Sequence, residues 1–368
     1  MKIGYIDLKK QYNSIKNEID EAIREVFEEA VFTGPNKFVD TFEIDFAATH
    51  HAKHCVALNS GTAALHAVLM ALGIGPGDEV IVPANTFFAT PQSVSLVGAI
   101  PVFVDCEERF YNIDPEKVEL AITKKTKAII AVHLYGQPAE LMPLKEIADK
   151  HGLYLIEDCA QAHLAQYHDS FVGTIGIAGC FSFYPVKNLG SFGEGGAVTT
   201  NDEYLASQLR LIRSNGSVKK YYHERIGHNF RMESLQGAIL AVKLKHLDKW
   251  TETRIYNAAL YSDYLGSIEN VTLPKKLATA RHVYHAYIIR INERDELKLF
   301  LGEKGICTEI HYPIPCHLQP AYKFLKYQKG SMPVTEQVAK QILSLPISDQ
   351  LLHHEIEYIT SMIARFYR

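Results

Sequence analysis

The sequence predicts an α/β protein in which a large, mostly parallel sheet domain precedes a smaller α+β domain. Three observations lead to this class. Between residues 55 and 158 five short apolar runs alternate with helical stretches, the rhythm of repeated βαβ units. Beyond about residue 250 that alternation gives way to fewer, mixed elements. The chain also has 368 residues, more than one growing hydrophobic core accommodates, so two unequal domains are expected, 1–250 and 251–368.

Taken in order, Leu8, Tyr12, Ile15, Ile19, Ile23, Val26 and Phe27 recur at three- and four-residue steps. That spacing predicts an amphipathic helix over residues 9–30, ending near Gly34-Pro35. The runs CVAL, EVIVP, IPVFVD, AIIAVHL and LYLIED then predict strands. GTAALHAVLMAL, TPQSVSLVGA, PEKVELAIT and LMPLKEIADKH predict the helices between them, with turn signals such as GIGPGD at the joints. From about 178 the text turns strand-rich (AGCFSFYP, GGAVTTN), then helical over 202–213 and again over about 232–265. The last part offers HAYIIRI, a helical DELKLFLGEKG, CTEIHYP and a closing helix near 354–367.

Composition excludes several classes. Lys and Arg number 38 against 42 Asp and Glu, so no basic field exists for nucleic acid or an anionic membrane, and any anion site must be local. MKIGYIDLKK lacks the apolar stretch of a signal peptide, and no run approaches the roughly 18 apolar residues of a spanning helix. A cytoplasmic protein is the expectation. Cys55, Cys106, Cys159, Cys180, Cys307 and Cys316 are scattered without a CxxC pair, which predicts reduced thiols rather than disulfides or a zinc site. His50 and His54 have the i, i+4 spacing of a helical metal pair, but no third ligand is near, and a polar helix end explains them as well. No metal is expected.

In α/β sheets ligands sit beyond the carboxyl ends of the strands, so residues just after each apolar run carry the chemistry. After CVAL comes Asn59-Ser60-Gly61-Thr62, a small-residue turn opening into a helix. Its free N–H groups and the Thr62 hydroxyl would hold a phosphate; simple turn chemistry is the alternative. After LYLI comes Asp158 in apolar text, either an N-cap or a carboxylate awaiting a cationic partner such as a protonated pyridine nitrogen. After GCFSF comes Lys187, in a short aromatic loop bounded by glycine, where desolvation would leave the amine nucleophilic. A lone surface lysine is the commoner explanation. What favours chemistry is the set, each member at a predicted strand end.

The ordered motifs SGTAAL, EDCAQAH, FSFYPVKNLG, GEGGAVTT and GHNFRMESLQGAIL closely resemble the DegT/DnrJ/EryC1/StrS family of sugar-nucleotide aminotransferases, pyridoxal 5′-phosphate (PLP) enzymes of fold type I, aspartate-aminotransferase-like. The resemblance spans nearly the whole chain, from IDLKKQY to LSLPIS. It implies Lys187 as the Schiff-base lysine and Asp158 on the pyridine nitrogen, the two catalytic residues. It further implies Gln161 beside the phenolic oxygen, phosphate contacts from Gly61, Thr62 and Ser182, and Phe87 against the ring face. Asn229 would reach the cofactor phosphate of a neighbouring subunit, making a homodimer with shared sites. The chain departs from the family at Val186, where a small polar residue is common, and at Leu164, where glycine is usual.

By resemblance the amino donor is L-glutamate and the acceptor a nucleotide-linked keto sugar. The stretches from Gly305 to Pro320 and from Tyr221 to Gln236 look more like relatives acting on dTDP-3-keto-6-deoxy sugars than on 4-keto sugars. His311, Tyr312 and His317 are candidate contacts to sugar or pyrophosphate, although an HYP turn is as readily structural. Tyr184, Lys219, Tyr221, His223, Arg225 and Arg231 form a cationic, aromatic set suited to a nucleotide diphosphate or, alternatively, a solvated basic loop. A non-catalytic PLP-holding regulator is the rival from another class.

Overall fold

The computed structural model describes all 368 residues. The predicted N-terminal helix is two helices, α1 (Leu8–Ser14) and α2 (Lys16–Glu29), broken where Ile15 leaves helical geometry. The second ends at Ala30 in the left-handed region, short of Gly34-Pro35. A third helix, α3 (Lys37–Thr49), was not anticipated, although its signal is present: the Asn36 side chain caps the Phe38 and Val39 amides, and Phe38, Phe42 and Phe46 follow on one buried face.

The five predicted βαβ strands form within a residue or two of expectation: β1 (His54–Leu58), β2 (Glu79–Pro83), β3 (Ile100–Val104), β4 (Thr126–Val132) and β5 (Tyr154–Asp158). Between them lie α4 (Gly61–Ala71), α5 (Ala89–Leu96), α6 (Pro115–Leu120) and α7 (Leu141–His151). Two short strands, β6 (Gln166–Tyr167) and β7 (Ser170–Phe171), precede β8 (Ala178–Ser182) and β9 (Gly196–Thr200). The main sheet runs β1-β9-β8-β5-β4-β2-β3. β9 is antiparallel to both β8 and β1, and the other neighbours pair in parallel. Six strands therefore point their carboxyl ends to one edge. The β8–β9 connection, which carries Lys187, folds back across that edge.

Alternation along the strands feeds two cores. Ile129, Ala131 and Leu155 face one, with Phe42, Phe46, Phe181 and Phe183, while Ala128, Ile130 and Ile156 face the other, with the apolar side of α4. Both faces are covered by helices, as a parallel sheet requires. α8 (Glu203–Arg213) follows, then an exposed hairpin of β10 (Ser217–Lys219) and β11 (Tyr222–His223). The long helical text is two helices, α9 (Ser234–Leu244) and α10 (Leu247–Leu265), and α3 lies against α9.

The C-terminal part contains β12 (Ala280–Arg281), β13 (Tyr287–Arg290), α11 (Arg294–Glu303), α12 (Pro333–Gln341), β14 (Ile342–Leu345) and α13 (His353–Phe366). HAYIIRI supplies β13, whose antiparallel partner is β14; CTEIHYP contributes only a single bridge, Glu309 to Ser344. Tyr261, Tyr287, Leu297 and Ile359 form a separate core that also takes in Ile3 from the opposite end of the chain. Asp105, just after β3, accepts from the Val334 and Thr335 amides at 3.0 and 2.8 Å, capping α12 from the sheet edge. No helix is long and apolar enough to cross a membrane.

Candidate active site

At the carboxyl edge of the sheet a cavity of about 510 Å³ gathers the ends of β1, β2, β5 and β8. At β1, Ser60 caps α4 by accepting from the Ala63 amide at 3.1 Å, and the next N–H groups, at Gly61 and Thr62, lack intrahelical partners. Gly61 lies so near β8 that a Cβ there would stand 2.7 Å from the Ser182 Cβ. The close approach places Ser182 beside the positive end of α4. A phosphate is the ligand this cradle suits.

Asp158 ends β5 and is buried. Oδ2 accepts from the Thr90 hydroxyl at 2.8 Å and Oδ1 from the Ala160 amide at 3.2 Å. Burial pushes its pKa up, partly offset by the Thr90 hydrogen bond. Lys187 lines the same cavity, and burial pushes its amine down to about 8, opposed by the Asp158 charge. Such an amine is substantially neutral near pH 8 and so nucleophilic. Gln161 is oriented by two bonds: Oε1 accepts from the Tyr135 amide at 2.6 Å, and Nε2 donates to Tyr312 Oη at 3.0 Å. The Phe87 ring, over half exposed, stands 5.6 Å from that of Tyr312.

Behind Asp158 the strand turns Glu157 the other way, fully buried. Its carboxylate accepts from the Gly173, Ile175 and Gly176 amides at 2.7, 2.9 and 2.7 Å, and His133 Nε2 lies 3.0 Å away. His133 Nδ1 accepts from the Ala139 amide, so Nε2 carries the proton and donates to Glu157. His133, Glu157 and Cys159 lie close enough to suggest a metal, but the imidazole nitrogens and carboxylate oxygens are already committed. A larger and more open groove, about 680 Å³ beside Arg281 and His282, has its arginine paired with Asp248 and Glu252. It lacks the convergent groups of the strand-end cavity.

Of the residues anticipated, Gly61, Thr62, Phe87, Asp158, Gln161, Ser182, Tyr184, Lys187, His311 and Tyr312 all line the cavity. His311 Nδ1 pairs with Ser344 Oγ at 2.8 Å, and burial pushes its imidazole down to about 4. His317 requires correction as a substrate contact: it is buried outside the cavity with Nε2 3.1 Å from Glu336. Arg225 is likewise spent, on Gln208 and the Met70 carbonyl. Lys219, Tyr221 and His223 belong to the exposed hairpin, and they, Asn229 and Arg231 do not line this chain's own cavity. His50 and His54 are not a helical pair. His50 ends α3 with Nδ1 on the Phe46 carbonyl and Nε2 accepting from the Leu164 amide, whereas His54 begins β1.

Two departures noted in the sequence have different meanings here. Leu164 has φ of +62°, the left-handed region that favours glycine. Val186 lines the cavity. Sequence reading missed Thr86, Thr90 and Glu194. The first and last line the cavity, and Thr90 holds Asp158. Both threonines lie in NTFFAT (residues 85–90), where the resemblance implies a role for Phe87 alone and nothing local distinguishes the threonines from ordinary helix-start residues.

Comparison with known proteins identifies the family. A profile of the DegT/DnrJ/EryC1/StrS aminotransferase family matches residues 13–364. A "pleiotropic regulatory protein" of Geobacillus stearothermophilus is 46% identical, covering 100% of this chain and 99% of its own. The dTDP-3-amino-3,4,6-trideoxy-alpha-D-glucose transaminase of Streptomyces venezuelae is 44% identical over 95% of this chain and 92% of its own. The crystal structure of S. venezuelae DesV in complex with a ketimine intermediate superposes with a TM-score of 0.97, at 42% identity, over 99% of this chain and 98% of that one. The family's aminotransferases depend on PLP, and the donor set fits that group: an anion cradle against Ser182, a buried carboxylate with capacity to spare, and a lysine whose amine is partly neutral. The chain belongs to the DegT/DnrJ/EryC1/StrS aminotransferase family and is a PLP-dependent aminotransferase.

Proposed function

We propose that this enzyme moves an amino group from L-glutamate to the carbonyl of a nucleotide-linked keto-6-deoxy sugar, with a dTDP-3-keto-6-deoxyhexose as acceptor, in amino-sugar biosynthesis. The observation that carries the reading is the convergence of Lys187, Asp158, Gln161 and the start of α4 on one cavity. The relatives acting on 3-amino sugars support the choice of acceptor. When bound, PLP supplies an electron sink for the carbanion formed at the donor's α-carbon.

The roles of the chain's own residues follow. Lys187 would anchor the cofactor, and its amine, at Nζ, would take the donor's α-proton and in the second half return a proton to the sugar carbon. Asp158 would meet the ring nitrogen and favour its protonated form. Gln161, held by Tyr135 and Tyr312, offers its remaining N–H to the phenolic oxygen. Gly61, Thr62 and Ser182 would hold the phosphate, and Phe87 would lie against the ring. Tyr184, His311 and Tyr312 border the sugar.

We assign Asn229, Lys219, Tyr221, His223 and Arg231 to the site of a second copy of the chain, in a homodimer with shared sites. The exposure of Asn229 and of the hairpin supports this. The domain division is taken within α10 near residue 250, on the separateness of the C-terminal core. A cytoplasmic location, with neither nucleic acid nor membrane as partner, accompanies this reading.

The test is incubation of the PLP-loaded protein with L-glutamate and dTDP-linked 3-keto or 4-keto 6-deoxyhexoses or a UDP-linked 3-keto sugar, followed by NMR location of the new amine. Amination at C3 of the dTDP sugar is expected. Amination of the 4-keto sugar alone would overturn the choice of carbonyl, and of the UDP sugar alone the choice of nucleotide. A Lys187→Ala protein that still develops the cofactor's visible absorption band would overturn the anchor. Amine formed from none of the three sugars would overturn the choice of a keto sugar nucleotide of these classes as acceptor.

A further inference from the structure

The Asp158 carboxylate is buried, yet only two donors of this chain reach it: the Ala160 amide of its own turn and the Thr90 hydroxyl. Thr90 has no exposed surface and sits in the first turn of α5. Its Oγ1 has a second neighbour, Thr86 Oγ1, at 2.9 Å. An ionised carboxylate only accepts, so Thr90 donates to Oδ2 and, its single proton used, accepts from Thr86. The two hydroxyls thus form a donor chain pointing at Asp158. Its base is anchored across the molecule, because Cys316 donates its amide to the Ala84 carbonyl at 3.0 Å and its thiol to the Thr86 carbonyl at 3.2 Å.

We propose that Thr90, backed by Thr86, is a positioning residue for amino transfer: its hydroxyl keeps Asp158 an ionised carboxylate facing the cavity, so that the cofactor's ring nitrogen, and not Asp158, carries the proton between them. The inference rests on the reading that Asp158 meets that nitrogen. A hydrogen bond to a charged, buried acceptor is among the stronger ones a side chain makes, and its loss favours the neutral acid. An unprotonated ring is the poorer electron sink. Valine at 90 keeps the shape of threonine without the donor, and serine keeps the donor without the methyl.

The test loads wild type, Thr90→Val, Thr90→Ser, Thr86→Val and Asp158→Asn with PLP carrying 15N at the ring nitrogen and reads its NMR shift. Single-turnover kinetics with L-glutamate accompany it. Thr90→Val is expected to move the signal toward the unprotonated position and slow the half-reaction by about 10- to 100-fold, with less than about threefold change in KM. Thr90→Ser is expected to match wild type, and Thr86→Val to shift the signal by less than Thr90→Val. A wild-type signal in Thr90→Val while Asp158→Asn moves it would overturn the proposal alone; so would Thr90→Ser as impaired as Thr90→Val, since the methyl would then matter. An unmoved signal in Asp158→Asn would overturn the Asp158 assignment and the proposal with it. Should Thr90→Val not fold, Thr86→Val decides: a shift toward the unprotonated position supports the relay, and an unchanged signal overturns it.

Discussion

The cavity edge and the layer directly behind it each contain a buried acid and a lysine, half-buried at the edge and fully buried behind it, and they use them oppositely. At the edge stand Asp158 and Lys187; behind them stand Glu157, the preceding residue on β5, and Lys243 of α9. Glu157 is saturated by three amides and His133, whereas Asp158 has two donors and faces the cavity. Lys243 gives its amine to the Gly190 carbonyl and lies over the Phe192 and Trp250 rings, clasping the loop that carries Lys187. Burial pushes both lysines down to about 8. A perturbed amine by itself therefore does not identify the reactive group. Unspent bonding capacity facing a cavity does.

The sharpest way to break this contrast is at the acids. Asp158→Asn is expected to lower single-turnover amino transfer by about 10²- to 10³-fold, with the thermal midpoint little changed, since a buried charge with few partners is removed. Glu157→Gln is expected to do the reverse. It would lose about 3–5 kcal/mol of stability in denaturant titration, because an amide nitrogen would face backbone donors, while the surviving folded protein keeps its ring-nitrogen signal. Equal effects of the two on stability would end the distinction.

The lysines give smaller, pH-dependent effects. Lys243 has a folded value below its ordinary 10.5, so between about pH 8 and 10.5 the unfolded chain binds more protons than the native one. Stability contributed by this site therefore rises with pH across that window and is withheld below about 8. Lys243→Met is expected to remove that slope, a difference of about 3 kcal/mol between the two proteins' unfolding profiles. Identical slopes would show that Lys243 is not held neutral by burial. Last, acylation of Lys187 in cofactor-free protein is expected to run about tenfold slower at pH 7 than at its plateau above about pH 9, read by peptide mass, with Lys243 unlabelled in the native state.

Much of this was legible beforehand because it is local. Five strands, their helices and the three strand-end motifs follow from alternation and turn chemistry within a few residues. The cavity gathers ten of the anticipated side chains. Breaks at Ile15 and at Lys245-His246 were not legible, since apolar spacing continues across both and only backbone geometry marks the joint. Nor was the pairing of Tyr287–Arg290 with Ile342–Leu345, segments more than fifty residues apart.

By itself the sequence determined that Asp158 and Lys187 stand at strand ends, since apolar runs and the turns that stop them are properties of adjacent residues. Only the tertiary structure decided which buried groups stay unspent. Glu157 and Asp158 are neighbours in sequence and point to opposite faces of one strand. His317 turned from a candidate contact into the partner of Glu336. Asp158 met Thr90 from 68 positions away, and Gln161 met Tyr312 from 151. Hydrogen-bond capacity is consumed by whichever groups the fold brings within about 3 Å, and no local pattern records that choice.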